Sequence, residues 1–265
     1  MNILKTYEDY CGKQNIPFED IQSIKSYDES TLFCPAGMQK FKKEFISKRV
    51  GTIGNNQRCL RTDDLGIVGD GIHLACFNML GLFSFRDWSM KKAIDFWIGF
   101  LCAIGLKVEE AHVHPKRKDW SRFYPKGTKV IEDQGCEWSD GDIGGYCTEF
   151  YVRGVEIGNI VNTLGHSIDC GFGLERLSPI QKSREEILSE TVLAITEAGY
   201  EPGNKKQGYV LRRLLKELSH TDLVLPYLKE EQERQIKIKK RYESLKNKFP
   251  DKTREWWFET HGIEV

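Results

Sequence analysis

Helices are predicted where apolar residues recur at helical spacing after a capping residue. Ser89 can cap a helix over residues 90–104, and Gly105 can end it. Four apolar residues share one face of this segment: Ile94, Trp97, Ile98 and Leu101. Ser183 and Glu186 form a capping box that begins a further helix. Each of these helices is expected to bury one face against the rest of the fold.

Strands are predicted where short apolar runs alternate with polar residues. Residues 57–61 look extended, and a turn-rich loop separates them from a strand pattern at 77–85. Four more segments have this pattern: 107–114, 128–132, 147–153 and 155–161. Within residues 31–48, a strand is predicted to break at Pro-Ala-Gly before a basic helix. Because strands outnumber those of a βαβ alternation, we predict an α+β fold with an antiparallel β-sheet flanked by helices.

The run Pro202-Gly203-Asn204 is the best candidate for a domain boundary. It predicts one domain over residues 1–200 and a short helical region over residues 201–265. Residues 205–254 contain fifteen Lys and Arg against seven Asp and Glu, an excess of +8 in a chain whose net charge is zero. Such a region suits a polyanion, although a solvated helix face has the same pattern. The candidate RNA contacts are Lys205, Lys206, Arg212, Arg213 and Lys216.

Composition indicates a globular protein without a membrane span. The chain has 265 residues, of which 40% are hydrophobic and 29% charged. It has no apolar run of the roughly eighteen residues that a span needs. Its charged N-terminus lacks the apolar core of a signal peptide. The eight cysteines form no Cys-x-x-Cys pair and suit a reducing cytosol, so we expect a cytoplasmic protein with no membrane partner.

A zinc site could be assembled only from loosely spaced residues. The candidates are His112, His114, Cys136 and Cys147. Their spacing is wider than that of known zinc motifs, so we expect no zinc.

Three segments carry residues suited to a nucleotide. Residues 169–176 contain Gly-x-Gly followed by Leu-Glu-Arg, which places a guanidinium beside backbone that a ligand can approach closely. Arg61 ends one extended segment, and Phe77 begins the next. A ring and a guanidinium can hold adenine between them while a second guanidinium holds phosphate. The alternative interpretation is an ordinary strand-to-helix junction with a core aromatic.

Together these segments resemble, in order, the catalytic domain of alanyl-tRNA synthetases, which are class II aminoacyl-tRNA synthetases. The resemblance runs from about Tyr7 to the last residue. It is carried by six matches: 32–42, 57–61 with 77–85, 138–149, 156–161, 169–176, and 208–213 with 260–262. Six ordered matches are more specific than any single motif.

The resemblance implies an ATP site beside an amino-acid site. Arg61 and Arg176 would be the catalytic arginines, and Asp169 would hold the substrate ammonium. The residues implied in ATP binding are Arg61, Phe77, Met79, Glu156, Gly173 and Arg176, with Glu156 as a ligand of Mg²⁺. Those implied in amino-acid binding are Trp138, Asn159, Ile160, Asp169 and Gly171.

The implied activity is ATP- and Mg²⁺-dependent conversion of alanine, or a similarly small amino acid, to its adenylate, followed by transfer to tRNA. Two alternatives stay open. The acyl group could pass to a carrier protein or a small-molecule acceptor, or the chain could be a non-catalytic paralogue that binds an amino acid or a nucleotide. Class II domains often pair through their first motif, so a homodimer is a further expectation.

Two departures from the family pattern lie near the nucleotide. The loop after Arg61 is short and lacks the family's lysine, so we expect weaker neutralisation of phosphate. Asn78 stands where the family has Glu. Ile72 stands where the family has an Arg before a pair of histidines, and of that pair this chain has only His73.

Two further departures concern the amino-acid pocket and the acceptor. Gly158 replaces a Trp, and Asn162 replaces a Phe. We expect these changes to enlarge or reshape the pocket and to permit a different amino acid. The chain stops at Val265, so we expect no editing or C-terminal domain and a helical region of about half the family's length, which bears on tRNA charging.

Overall fold

The computed structural model describes residues 1–178, 181–218, 224–261 and 263. The chain forms two compact units, Met1–Lys182 and Ser183–Val265. The predicted boundary at residue 200 comes after this division in the sequence. The reason is that the helix that follows Ser183 packs against the next helix of the second unit. Pro202-Gly203-Asn204 is therefore a connection inside that unit.

Nine strands are present among the described residues, and all belong to the first unit. They are β1 Phe18–Ile21, β2 Gly51–Leu60, β3 Cys76–Phe85, β4 Glu110–Val113, β5 Lys129–Glu132, β6 Glu137–Asp140, β7 Ile143–Val152, β8 Val155–Thr163 and β9 Ser167–Gly173. The order across the sheet is β1-β2-β3-β9-β8-β7-β4-β5, and β6 pairs with β7. All pairs are antiparallel except β1 with β2 and β4 with β5.

The described part of the chain contains eight α-helices. They are α1 Ile3–Lys13, α2 Lys42–Ile46, α3 Met90–Ala103, α4 Leu174–Leu177, α5 Arg184–Glu197, α6 Lys206–Glu217, α7 Leu225–Leu245 and α8 Arg254–His261. Three 3-10 helices lie at Gly37–Phe41, Asp63–Gly66 and Pro115–Phe123. The predicted α+β class, with a mainly antiparallel sheet and flanking helices, is confirmed.

Helices α1 and α3 bury their apolar faces against one side of the sheet. Ser89 caps α3 by accepting from the Lys92 N–H. Trp97 of α3 stacks on Phe172 of β9, with 3.7 Å between ring centroids. Tyr7 of α1 donates a hydrogen bond of 2.8 Å to the Gly81 carbonyl of β3. Because side chains alternate along a strand, the residues between these core positions face the other side of the sheet.

The strand predicted within residues 31–48 is wrong. Only Phe33 makes an isolated bridge, to Lys25, and strand β1 was not predicted. The segment is held by side-chain hydrogen bonds instead of by pairing with a strand. The buried Gln39 side chain donates to the Thr31 hydroxyl and accepts from the Tyr27 N–H. The helical segment after Pro-Ala-Gly is present as a 3-10 turn followed by α2.

The second unit contains the predicted capping box. The Ser183 hydroxyl accepts from the Glu186 N–H, and the Glu186 carboxylate accepts from the Ser183 N–H. Residues 219–223, 262, 264 and 265 of the predicted helical region lie outside the described residues. None of the described helices is both long and apolar enough to cross a membrane.

Candidate active site

A cavity of about 170 Å³ lies over the sheet face that α1 and α3 leave uncovered. Ten of the predicted site residues line it: Arg61, Phe77, Met79, Trp138, Glu156, Asn159, Asp169, Gly171, Gly173 and Arg176. They come from four strands (β3, β6, β8 and β9), from α4 and from the residue after β2. The fold thus brings together residues that lie up to 115 positions apart in the sequence.

Two glycines of β9 keep the floor of the cavity open. Gly171 and Gly173 lie on the same face as Asp169, and a Cβ atom at Gly171 would meet the Met79 sulfur at 2.9 Å. A side chain there would displace Met79 from the wall. This is the local reason for the Gly-x-Gly spacing: the strand passes close under a ligand site.

A β-bulge turns two residues of β8 toward the cavity. The register of β7 with β8 shifts between Phe150 and Tyr151, which leaves Ile157 as an extra residue in β8. A bulge interrupts the alternation of side chains. Glu156 and Asn159 therefore both line the cavity, although they are three residues apart. The sequence pattern contained no signal of this bulge.

Asp169 is the carboxylate at the centre of the floor. It lies opposite Phe83 of β3 and Val161 of β8, and its exposure is 7%. Burial raises its pKa to about 7. Within the part of the chain that the structure describes, no hydrogen-bond donor or cation contacts this carboxylate. A buried carboxylate without a partner is a receptor for a cationic group of a ligand.

Arg61 and Phe77 form one wall of the cavity. The Arg61 guanidinium lies over the Phe77 ring, with 5.1 Å between Cζ and the ring centroid. Its Nε donates a hydrogen bond of 3.0 Å to the Pro35 carbonyl. Two contacts therefore hold the guanidinium in place beside an aromatic surface.

Arg176 and Glu156 form the opposite wall. The Nη1 atom of Arg176 donates to the Glu156 carbonyl at 2.9 Å and to its carboxylate at 3.5 Å. Both side chains are about one third exposed, so the pair is open to solvent and to a ligand. The Glu156 carboxylate can bind a divalent cation only if it also keeps its contact with Arg176 or gives that contact up.

Glu175 is a cavity residue that the sequence analysis did not single out. Its two carboxylate oxygens share the Asn78 N–H, at 3.0 and 3.1 Å, and one of them also accepts from the Asn78 side-chain amide. Burial raises the pKa of Glu175. A carboxylate from α4 thus lies beside the strand position where the family has Glu and this chain has Asn78. Its place next to Arg176 in the Leu-Glu-Arg motif could have indicated it.

The loop after Arg61 is short and ordered by Asp70. The Asp70 carboxylate accepts from the N–H groups of His73 and Ile72 and pairs with the His73 ring. These hydrogen bonds, chiefly those with His73, lower the pKa of Asp70. Ile72, His73 and Asp64 line the cavity. The loop therefore contributes a carboxylate and no lysine to the site.

Ile160 does not line the cavity. Its side chain is fully buried in the core under α3, on the opposite face of β8 from Asn159. Val161, which the sequence analysis did not select, lines the cavity instead. The alternation of side chains along β8 explains the difference.

Gly158 lines the cavity, but the space that a side chain would need there is already filled. A Cβ atom at Gly158 would lie 2.4 Å from the Phe172 ring and 2.5 Å from the Gly171 carbonyl. Phe172 fills this space and is held there by its stack on Trp97. Asn162 lies outside the cavity lining, with its side chain donating to the Ser167 carbonyl at 3.4 Å. The two replacements therefore add no space at these positions. That they reshape the pocket and permit a different amino acid stays a prediction.

One of the five candidate RNA contacts, Arg212, is not accessible to RNA. Arg212 is 1% exposed and pairs with Glu231, itself 4% exposed, and with Asn204. A buried guanidinium cannot contact a phosphate, so the prediction for Arg212 is wrong. The other four side chains are exposed on or beside α6: Lys205, Lys206, Arg213 and Lys216.

Comparison with known proteins identifies the relatives of this chain. It is similar to the alanine--tRNA ligase of Endomicrobium trichonymphae, with 27% identity over 73% of this chain and 31% of that protein. The alanine--tRNA ligase of Rhodopirellula baltica is 30% identical over 70% of this chain and 24% of that protein. The chain thus spans about a third or less of the length of these curated relatives. A solved pyrrolysyl-tRNA synthetase of Desulfitobacterium hafniense matches 66% of each chain, with a TM-score of 0.43 and 14% identity.

A family model gives the most specific result. Residues 5–142, just over half of the chain, match the model described as tRNA synthetases class II (A). This segment includes Arg61, Phe77 and Trp138 of the cavity. The chain therefore belongs to the class II (A) tRNA synthetase family.

Proposed function

We propose that this chain activates a small amino acid with ATP as an aminoacyl-adenylate and transfers the aminoacyl group to an acceptor, with tRNA as the first candidate. The observation that carries the proposal is the buried, unpartnered Asp169 in a cavity that also contains Arg61 and Arg176. A carboxylate for the ammonium and two guanidiniums for phosphate match the two substrates of this reaction.

The reaction joins two anions and needs no nucleophile from the protein. A substrate carboxylate oxygen attacks the α-phosphorus of ATP, the new O–P bond forms, and the bond to pyrophosphate breaks with no net proton transfer. Asp169 fixes the ammonium, and thereby the direction of the carboxylate. Arg61 and Arg176 offset charge on the phosphates and hold them for in-line attack.

The charge of the cavity supports a requirement for Mg²⁺. Four carboxylates line it, and only two guanidiniums oppose them: Asp64, Glu156, Asp169 and Glu175 against Arg61 and Arg176. A triphosphate entering this site adds further negative charge. Glu156 and Glu175 have the chemistry to hold Mg²⁺ together with phosphate oxygens, as such ions are usually held. When bound, Mg²⁺ would neutralise charge on the phosphates. This would offset the absence of a lysine from the loop after Arg61.

The side chains that line the cavity next to Asp169 support a small amino acid. Trp138, Asn159 and Val161 form the wall next to Asp169, and Phe172 closes the space beneath Gly158. These bulky and branched side chains leave room for a short substrate side chain beside the ammonium site. Alanine or a similarly small amino acid is therefore the proposed substrate.

One set of observations favours an acceptor other than tRNA. The loop after Arg61 presents Asp64 rather than a lysine, and Arg212 is buried. Both findings reduce the positive charge available to an RNA backbone. Transfer to a carrier-protein thiol or a small-molecule amine is therefore the second candidate, and it uses the same adenylate.

Pyrophosphate exchange into ATP tests the proposal. The chain is assayed with each of the twenty amino acids and with common non-protein ones, with and without total tRNA. Exchange that depends on a small amino acid is expected from the wild type and not from Asp169→Asn, whereas the exposed-site control Asp95→Asn retains it. Absence of exchange with every amino acid, in both conditions, would refute activation. Exchange without transfer of a radiolabelled amino acid to tRNA, measured in a parallel charging assay, would favour the second acceptor.

A further inference from the structure

A second cluster of ligand-type side chains lies apart from the residues assigned so far. The Sγ atoms of Cys136 and Cys147 and a carboxylate oxygen of Glu149 all lie within 4.8 Å of one another. The two cysteines are 0% and 1% exposed. Cys136 precedes β6, and the other two residues alternate on β7, so one face of a hairpin presents all three.

The sheet register places this cluster beside the amino-acid pocket. Cys147 lies opposite Val161, and Glu149 lies opposite Asn159. Paired residues share a sheet face, so the cluster is one strand beyond the cavity wall. Trp138 packs against the same group of buried residues.

The surroundings of the cluster favour a cation. The two thiols are buried and the Glu149 side chain is half-buried. Within the described ranges, neither Lys nor Arg pairs with Glu149. Its Oε2 atom accepts a 2.9 Å hydrogen bond from the Tyr151 hydroxyl, which orients the carboxylate. Two thiols and a carboxylate thus share a largely buried space in which none of the described Lys or Arg side chains pairs with Glu149.

Histidine is not part of this arrangement. The His112 ring is engaged with Glu110 at 2.9 Å and with Asp133 at 3.3 Å. The His114 ring stacks on Tyr146 and accepts from the Lys116 N–H. The four residues considered from the sequence therefore do not converge, and a carboxylate takes the place of the histidines.

We propose that Cys136, Cys147 and Glu149 bind a zinc ion that fixes the hairpin bearing Trp138 against the wall of the amino-acid pocket. The donor atoms around a tetrahedral zinc ion lie about 3.5–4 Å apart, and those of this cluster lie within 4.8 Å of one another. Two thiolates select zinc over Mg²⁺, and zinc binding releases the thiol protons. Three protein ligands leave a fourth position for water. This proposal replaces the expectation, drawn from spacing alone, that no zinc is bound, and it does not depend on the proposed activity.

Metal content tests the site directly. The full chain, purified with a thiol reductant, is equilibrated with Zn²⁺, dialysed and analysed for bound metal. In parallel, Co²⁺ is added, because tetrahedral thiolate coordination gives a charge-transfer band in the near ultraviolet and strong visible bands. The variants are Cys147→Ser and Glu149→Gln. The matched control is Cys34→Ser, which removes one thiol of the other buried pair, Cys34 with Cys59.

One zinc ion per wild-type chain is expected, together with the cobalt–thiolate band. Cys147→Ser is expected to lose both, Glu149→Gln to bind at least about tenfold more weakly, and Cys34→Ser to bind like the wild type. No stoichiometric zinc in folded wild type, no thiolate band, or equal loss in Cys34→Ser would overturn the proposal. An intact mass showing a Cys136–Cys147 disulfide in the reduced preparation would also overturn it. If Cys147→Ser does not fold, the wild-type cobalt spectrum and Glu149→Gln decide.

Discussion

The guanidinium of Arg61 lies over the ring of Phe77, 5.1 Å from its centroid. The same guanidinium is tied to the Pro35 carbonyl at 3.0 Å. The cation proposed for phosphate and the ring proposed for adenine are therefore in contact before any ligand arrives. A pre-formed pair loses less conformational freedom on binding than two separate side chains.

This contact predicts that Arg61 and Phe77 act together in ATP binding. Phe77→Leu should weaken ATP binding by removing the stacking surface and the support of the guanidinium. Arg61→Ala should then cost less in the Phe77→Leu background than in the wild type, with a coupling of about 1 kcal/mol, or roughly fivefold in Kd. Calorimetric titration of ATP into the four proteins measures the cycle. Strictly additive effects would show that the contact has no role in binding.

Asp169 predicts a pH-dependent affinity for the amino acid. With a pKa of about 7 in the free protein, the carboxylate is mostly protonated below that pH and cannot pair with an ammonium. Amino-acid affinity should therefore fall by up to about tenfold per pH unit below pH 7 and level off above it. Titrations in the wild type and in Asp169→Asn distinguish the cause. The variant should bind weakly at every pH, and a parallel pH profile in the two proteins would remove Asp169 from the pocket.

The same carboxylate predicts a stability cost in the absence of substrate. The folded pKa is raised above the unfolded one, so the folded state binds more protons between about pH 4 and 7 and loses stability as pH rises through that window. Asp169→Asn removes this loss and should raise the free energy of unfolding at about pH 8 by up to ~4 kcal/mol. Urea unfolding at about pH 8 and pH 5 measures the difference, which should shrink at the lower pH. A destabilised variant at about pH 8 would contradict the buried-charge explanation.

Local spacing and motif order were sufficient to predict most of the sheet and its site. The capped helix α3, the strand pattern and the Gly-x-Gly run each contain their own signal, and ten predicted residues line one cavity. The failures concern features that only packing determines. The bulge at Ile157 and the core position of Ile160 depend on register, whereas the burial of Arg212 depends on Glu231, a residue of another helix.

Gly158 predicts a stability effect where the sequence suggested a change of substrate. Gly158→Ala places a methyl group 2.4 Å from the Phe172 ring and should destabilise the fold by roughly 1–3 kcal/mol. Gly12→Ala is the control, because nothing lies within 4 Å of its added Cβ atom. Thermal unfolding compares the two variants. A Gly158→Ala protein with unchanged stability but altered amino-acid preference would show that the added methyl group enters the pocket rather than meeting Phe172.

The second unit predicts that two neighbouring arginines of α6 behave differently. Arg213 is exposed and Arg212 is buried against Glu231, at 4.0 Å. If tRNA is the acceptor, Arg213→Gln should weaken tRNA binding a few-fold and reduce its salt dependence, while leaving the fold intact. Arg212→Gln should instead leave the buried Glu231 carboxylate without its cationic partner and destabilise the second unit by about 3–5 kcal/mol. Filter binding at several salt concentrations and limited proteolysis separate these effects. Unchanged tRNA affinity in Arg213→Gln and in the matched exposed variant Lys216→Gln would remove α6 from the RNA surface.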